Sequence, residues 1–325
     1  MSQIIECQLC PHLCRLAPGQ RGNCRVRIHL DGELQTLVYG NPCAVHVDPI
    51  EKKPLFHVLP SSAAFSIATA GCNLHCKYCQ NWQISQRPPE ETHNTDLPPA
   101  QLVRETQASR CRTIAYTYSD PVIFYEYALE SSRLAHEAGL LNALVTAAYI
   151  NQKPLINLCR FTDAANVDLK GITDEYYQRM SGGHLAPVKE AILTMQEKGV
   201  WVELTNLIVP RWNDTDQDIR NLCRWVKKYC GDRTPVHFSK FWPTHLLNNL
   251  PPTPTHRLSR AWHIARETGL KFPYVGNVPG HPGNHTYCPG CEKILIERIG
   301  YRILKNRLIN GNCPACGETI PGIWS

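Results

Sequence analysis

The chain has 325 residues, 43% of them hydrophobic, which suffices for one large α/β domain with small appendages and argues against disorder. A formal charge of +6 is modest, shrinks as metal-bound thiols lose protons, and comes without a long Lys/Arg run, so charge alone argues for no nucleic-acid partner. The longest apolar run, residues 140–150, is broken by Asn142 and Thr146 and falls far short of the roughly 18 residues of a membrane span. The start, MSQIIECQLC, lacks the basic-then-apolar pattern of a secretory leader, so a cytoplasmic protein is expected.

Sixteen cysteines in a reducing compartment point to metal rather than disulfides, because eleven of them fall in three tight groups. Residues 1–60 form the first expected unit, a cysteine-rich module. Cys7, Cys10, Cys14 and Cys24 are spaced C-x2-C-x3-C-x9-C and can hold zinc or a second iron–sulfur cluster; zinc is favoured, since the spacing matches neither ferredoxin pattern. Asp31-Gly32 between CRVRIHL and ELQTLVYG reads as a hairpin turn. The stretch HVDPIEKKPLFHVLP, rich in proline and charge, reads as an ordered connector.

Residues 61–284 form the second expected unit. Strand-like segments at 64–70, 112–118, 142–148, 163–170, 201–209 and 235–241, with a weaker one at 271–277, alternate with helical ones at 99–110, 121–139, 186–199, 215–231 and 255–269. Glycines 139, 199, 231 and 269 stop four of the helices. Repeated βα units with apolar strands predict a parallel sheet covered by helices, and periodicity alone does not separate a partial barrel from a doubly wound sheet.

Directly after the first strand comes Cys72-x3-Cys76-x2-Cys79. Three thiolates leave one iron of a cubane without a protein ligand, where most cubanes have four cysteines. Zinc usually takes two knuckles of two ligands and fits this spacing poorly. The loop, with Tyr78 before its third cysteine, resembles the signature of the radical S-adenosylmethionine (radical SAM) enzymes. The resemblance implies a [4Fe–4S] cluster whose open iron chelates the methionyl amine and carboxylate of SAM and whose reduced form breaks the sulfonium. It also implies a partial (β/α)6 TIM-like barrel.

Residues past the other strands should then converge on that loop. Tyr118-Ser119-Asp120-Pro121 occupies the place of a segment that holds the methionyl ammonium in relatives; Asp120 stands where activating enzymes often have Glu, and Asp-Pro is also good helix-start chemistry. Thr146-Ala147-Ala148-Tyr149 keeps the ends of a Thr-Asn-Gly-Tyr segment of relatives. Asp168 and Lys170, two residues apart, share one side of an extended chain, and a similar Asp-Leu-Lys lies near the SAM carboxylate in the activating enzymes. Thr205, Asn206, His237 and Ser239 fall where relatives meet the SAM carboxylate or ribose. The loop GNVPGHPGN, residues 276–284, reads as a closure of the barrel.

Residues 285–325 form the third expected unit. Cys288, Cys291, Cys313 and Cys316, as CPGC and CPAC, fit a zinc ribbon, with a rubredoxin-like iron site as the alternative. Cys43, Cys111, Cys159, Cys223 and Cys230 read as core. Over nearly the whole chain, the order of the cysteine sets resembles the AmmeMemoRadiSam-system radical SAM enzymes, relatives of pyruvate formate-lyase activating enzyme. That resemblance implies Memo-like and AMMECR-like partners and a reductant such as flavodoxin or ferredoxin. The leading expectation is SAM cleavage followed by hydrogen abstraction from an unidentified substrate, with a protein or nucleic acid among the candidates. A glycyl radical activase is the narrower alternative, and a metal-stabilised RNA- or protein-binding scaffold the alternative of another class.

Overall fold

The computed structural model describes residues 4–325. Its centre is an eight-stranded sheet, here numbered β1 (Ala44–Pro49), β2 (Ala63–Ala68), β3 (Thr113–Tyr116), β4 (Leu141–Thr146), β5 (Ala164–Asp168), β6 (Trp201–Ile208), β7 (Val236–Lys240) and β8 (Pro273–Gly276). Strands β2 to β8 are parallel and neighbour one another in chain order. A doubly wound sheet would reverse that order at a switch point, so this is the singly wound, open barrel. The seventh parallel strand, weakly signalled in sequence, is present. The sheet also begins earlier than residue 61: β1 pairs antiparallel with β2.

The helices α1 (Pro99–Ala108), α2 (Tyr125–Glu137), α3 (Gln152–Cys159), α4 (Asp174–Ser181), α5 (Leu185–Glu197), α6 (Asp216–Tyr229) and α7 (Thr255–Thr268) follow the strands and share one continuous apolar core with them. The pleat sorts side chains by size: Phe65, Ile67, Ile114, Val167, Leu204 and Phe238 belong to the helix-packed core. Ala64, Ala115, Ala143 and Ala164 belong instead to a separate cluster with Ile50, Leu55, Val58 and Leu59 of the connector. Small residues on four neighbouring strands thus leave room for the connector to plug the barrel floor. Burying each large aliphatic side chain contributes about 1.5–3 kcal/mol.

α3 and α4 fall where the sequence pattern predicts no helix. Pro154 sits in the first turn of α3, where its missing N–H would have had no partner anyway. α4 starts on a Thr173 cap, whose side chain accepts from Tyr176 N, and ends at Gly182 with φ +73°. The expected hairpin at Asp31-Gly32 is present, with both turn residues at positive φ.

A buried polar network fixes the plug. Glu203 on β6 accepts from Phe56 N (3.0 Å), His57 N (2.8 Å), Trp201 Nε1 (3.2 Å) and His237 Nε2 (2.7 Å). Nδ1 of His57 donates to Pro321 O and its Nε2 accepts from the Tyr274 hydroxyl, both at 2.6 Å. Burial pulls His57 down to about 4, which keeps this neutral tautomer at ordinary pH. Arg298, from the three-stranded carboxyl-terminal sheet, donates to Phe56 O (2.9 Å) and lies 4.2 Å over the Phe56 ring. Among the described residues no helix is long and apolar enough to cross a membrane.

Candidate active site

Gly71, with φ +87°, turns the chain from β2 into the cysteine loop; a Cβ there would lie 2.5 Å from Cys24 O. The loop is braced from below by α4, through His75 N to Ser181 O (2.8 Å) and Lys77 N to Met180 O (3.0 Å). Leu74 N donates to Cys72 Sγ (3.4 Å), and Ser85 Oγ lies 3.2 Å from Cys79 Sγ. Cys72, Cys76 and Cys79 all line one cavity of about 760 Å³ over the carboxyl ends of the strands. Burial, with Asp120 nearby, pushes the Cys72 thiol well up, and burial does the same for Cys76, so a bound metal must displace protons there.

The strand ends line the same cavity: Ser119 and Asp120 after β3, Thr146 on β4, Asp168 and Lys170 at β5, Thr205 on β6, His237 and Ser239 on β7. Their register explains the convergence, since Asp168 is opposite Thr205, Thr205 opposite His237, and Ser239 opposite Gly276. Lys170 Nζ contacts Asp168 Oδ2 at 2.9 Å. Burial alone would lower the Lys170 pKa, but the Asp168 carboxylate leads the interactions that more than offset it and hold the ammonium charged. The hydroxyls of Ser119 and Thr205 are buried without a hydrogen-bond partner. Two such hydroxyls on one wall fit a polar ligand.

Asp120 has little acceptor capacity to spare. Its Oδ1 accepts from Val122 N (3.1 Å) and Thr146 Oγ1 (2.9 Å), and its Oδ2 from Ala147 N (2.8 Å). Burial raises its pKa despite these donors. Asp120 therefore closes the turn that precedes α2 rather than capping the helix, whose N-cap is Phe124, and it locks the ends of β3 and β4 together. Tyr78 is buried on the cavity wall with its hydroxyl 3.4 Å from Ser181 Oγ.

Three expected contacts look different in three dimensions. Asn206 does not line the cavity; consecutive strand residues face opposite ways, and its amide donates to Leu169 O at 2.8 Å. His237 reaches the cavity wall, but its Nε2 is committed to Glu203 and its ring stacks on Tyr274. The Tyr118 hydroxyl donates to Asp48, and Lys53 lies 4.3 Å from the ring centroid. Its backbone carbonyl accepts from Asn81 Nδ2 at 2.8 Å. Sequence reasoning missed Lys52 and Lys53 of the connector, Trp242 after β7, and Gly300-Tyr301 at the carboxyl-terminal hairpin, which complete the wall. No local motif marks them, because the fold brings them in from far along the chain.

The carboxyl-terminal cysteines form a closed metal geometry: the four sulfurs lie within 4.8 Å of one another, with Cys288–Cys316 at 3.4 Å and Cys291–Cys313 at 3.7 Å. Four thiolates so placed accept zinc or iron. Cys7, Cys10, Cys14 and Cys24 line a separate small cavity beneath the amino-terminal hairpin.

The profile of the Radical SAM superfamily matches residues 66–226, from β2 and the cysteine loop into α6. An uncharacterized protein of Methanocaldococcus jannaschii is 41% identical over 97% of this chain and 95% of its own length. The pyruvate formate-lyase-activating enzyme of Clostridium pasteurianum is 24% identical over 48% of this chain and 66% of its own length. The chain belongs to the radical SAM superfamily. Among solved structures, a radical SAM methyltransferase from Sphaerobacter thermophilus superposes with TM-score 0.52 at 16% identity, covering 72% of this chain and 71% of that one, a likeness of fold. Radical SAM membership implies a [4Fe–4S] cluster and SAM as cofactors. The cavity suits them chemically, with three thiols at one end and a cation, an anion and two unpartnered hydroxyls beside them.

Proposed function

We propose that this radical SAM enzyme holds its cluster on Cys72, Cys76 and Cys79, cleaves SAM reductively, and abstracts hydrogen from a substrate admitted to the same cavity. One observation carries the reading: the three cysteines, the Asp168–Lys170 pair and the orphaned hydroxyls share a single chamber. When bound, the reduced cluster supplies the electron that converts SAM to methionine and a 5′-deoxyadenosyl radical.

The chain's own residues divide the remaining work. Lys170 offers its ammonium to the methionyl carboxylate, and Asp168 offers a carboxylate to the ligand's ammonium or ribose hydroxyls. Ser119 and Thr205 satisfy ligand polar atoms with hydroxyls that otherwise have no partner. Asp120 acts chiefly by holding the Ser119 and Thr146 loops in place. The plug of residues 50–59 closes the floor of the barrel against water.

Within the superfamily we assign the chain to the AmmeMemoRadiSam-system branch. Its support is the order of the three cysteine sets and a relative that aligns over almost the whole length. Memo-like and AMMECR-like partners, a flavodoxin or ferredoxin reductant, zinc in the carboxyl-terminal site and a macromolecular substrate belong to this proposal. So does the division into three units, with the first boundary moved from 60/61 to ahead of β1, which the central sheet includes, and the second kept at 284/285. A glycyl radical activase is the narrower second reading, favoured by the similarity to pyruvate formate-lyase-activating enzymes; hydrogen exchange at the glycine of a supplied peptide would separate it from the first. The intact cysteine triplet and the unpartnered hydroxyls speak against a vestigial scaffold.

The test is 5′-deoxyadenosine, measured by mass spectrometry after anaerobic reduction with dithionite in the presence of SAM. Wild-type protein should form it and Cys76→Ala should fall to background. No product from wild type carrying a full cluster would overturn the reading.

A further inference from the structure

The amino-terminal cysteines are built differently from the carboxyl-terminal ones. A tetrahedral zinc with Zn–S bonds of about 2.3 Å holds its sulfurs about 3.8 Å apart, and the carboxyl-terminal set shows that spacing. Among the described residues it alone brings three or more cysteine sulfurs within 4.8 Å. Cys7, Cys10, Cys14 and Cys24 instead stand apart around a cavity of about 20 Å³. In not gathering three sulfurs within 4.8 Å they resemble the Cys72–Cys79 triplet. Sulfurs that do not close to the spacing of a single tetrahedral ion suit a cluster with bridging sulfide better than one zinc.

The surroundings suit an anionic cluster too. Backbone N–H groups point at the sulfurs, Asn23 N to Cys14 Sγ at 3.4 Å among them. Arg27 lines the cavity, is buried, and leaves its Nε without a partner while its other end pairs with Glu126. A buried cation beside four thiolates offsets their charge.

Position adds a role. His12, between Cys10 and Cys14, meets Asn73 O through Nε2 at 2.7 Å, and Asn73 follows Cys72 directly. Asn23, beside Cys24, meets His75 Nε2 through Oδ1 at 2.9 Å. Asn73 lines the amino-terminal cavity while its neighbours Cys72 and Leu74 line the active-site cavity, so one residue of the cysteine loop separates the two.

We propose that Cys7, Cys10, Cys14 and Cys24 hold a second iron–sulfur cluster rather than zinc, and that this cluster passes electrons to the one on Cys72, Cys76 and Cys79. The relay rests on the function proposed above; the cluster itself does not. Each transfer takes one electron from an external low-potential donor of the flavodoxin or ferredoxin class, reduces the amino-terminal cluster, then reoxidises it as its neighbour is reduced. No bond forms or breaks and no proton moves.

The test is metal and sulfide analysis of full-length protein, reconstituted without oxygen. The triple variant Cys72→Ala/Cys76→Ala/Cys79→Ala should still carry iron with matching sulfide, bleached reversibly by dithionite, and about one zinc per chain. Iron-free triple variant with about two zinc per chain would overturn the cluster. That result is read without SAM, so it is independent of whether the active site works. Cys10→Ala/Cys14→Ala should lose the iron of one cluster, and its 5′-deoxyadenosine formation driven by flavodoxin should fall relative to that driven by dithionite. An unchanged ratio in a variant that has lost this iron would overturn the relay. Should the double variant fail to fold, the triple variant still decides the cluster.

Discussion

Lys170→Met should weaken SAM binding at least about 30-fold, and up to several thousand-fold, while cluster iron stays in place; truncating one partner of a buried, hydrogen-bonded charge pair costs about 2–5 kcal/mol. Methionine keeps the unbranched length and removes the ammonium. Asp168, 2.9 Å away, then faces the cavity without its partner. A methionyl carboxylate entering beside it would meet repulsion where wild type offers a cation. Equilibrium dialysis with labelled SAM, alongside iron analysis, reads both quantities. An unchanged dissociation constant would remove Lys170 from the ligand's surroundings and reduce the Asp168–Lys170 pair to a strand-end ion pair.

Glu203→Ala should lower the stability of the whole chain by about 3–5 kcal/mol at neutral pH, since leaving a buried donor without its acceptor costs about 1–3 kcal/mol and several donors are affected. The loss has several parts. The Phe56 and His57 amides lose their acceptor inside the barrel floor, and His237 and Trp201 lose theirs. Burial pushes the Glu203 carboxyl up, but His237 and His57 more than compensate, so its net pKa is lowered. A carboxylate with a depressed folded pKa contributes stability above its unfolded value, here near 4.5, and loses it as pH falls through the folded one. Urea midpoints followed by circular dichroism check the prediction, with Glu203→Gln expected between wild type and Glu203→Ala. A shift below about 1 kcal/mol would mean that the connector is held by its apolar contacts alone.

What the sequence disclosed about this protein follows from where its physics is local. Metal chemistry writes ligands at short fixed spacing, so the triplet at Cys72 and the pairs at Cys288 and Cys313 were legible at once. The βα alternation disclosed the parallel sheet, and the strand order then separated the open barrel from a doubly wound sheet, which periodicity does not do. Strand pleating explains the error at Asn206: with Thr205 facing the cavity, its neighbour must face the helices. α3 lies outside the helical segments read from the sequence, and it tolerates Pro154 because that residue falls in its first turn.

The illegible part is long-range. Glu203, His57, Tyr274 and Arg298 form one network across more than two hundred residues of chain, and singly each resembles an ordinary buried polar group. Tyr301 reaches the active-site cavity only because the carboxyl-terminal hairpin is docked there by Arg298. The amino-terminal cysteines were ambiguous for a different reason: spacing specifies four ligands but not the size of what they surround. The spacing C-x2-C-x3-C-x9-C favours zinc, and the proposed second cluster rests on sulfurs that do not gather within 4.8 Å of one another.

The central claim, that the Cys72–Cys76–Cys79 loop leaves one iron free to bind SAM, is tested most directly by electron–nuclear double resonance. The reduced wild-type protein would be mixed with SAM isotopically labelled at its amine nitrogen and carboxylate oxygens. The account predicts hyperfine coupling of the cluster spin to both labels, absent in Cys76→Ala. A fully reduced cluster with bound SAM and no coupling to either label would contradict it.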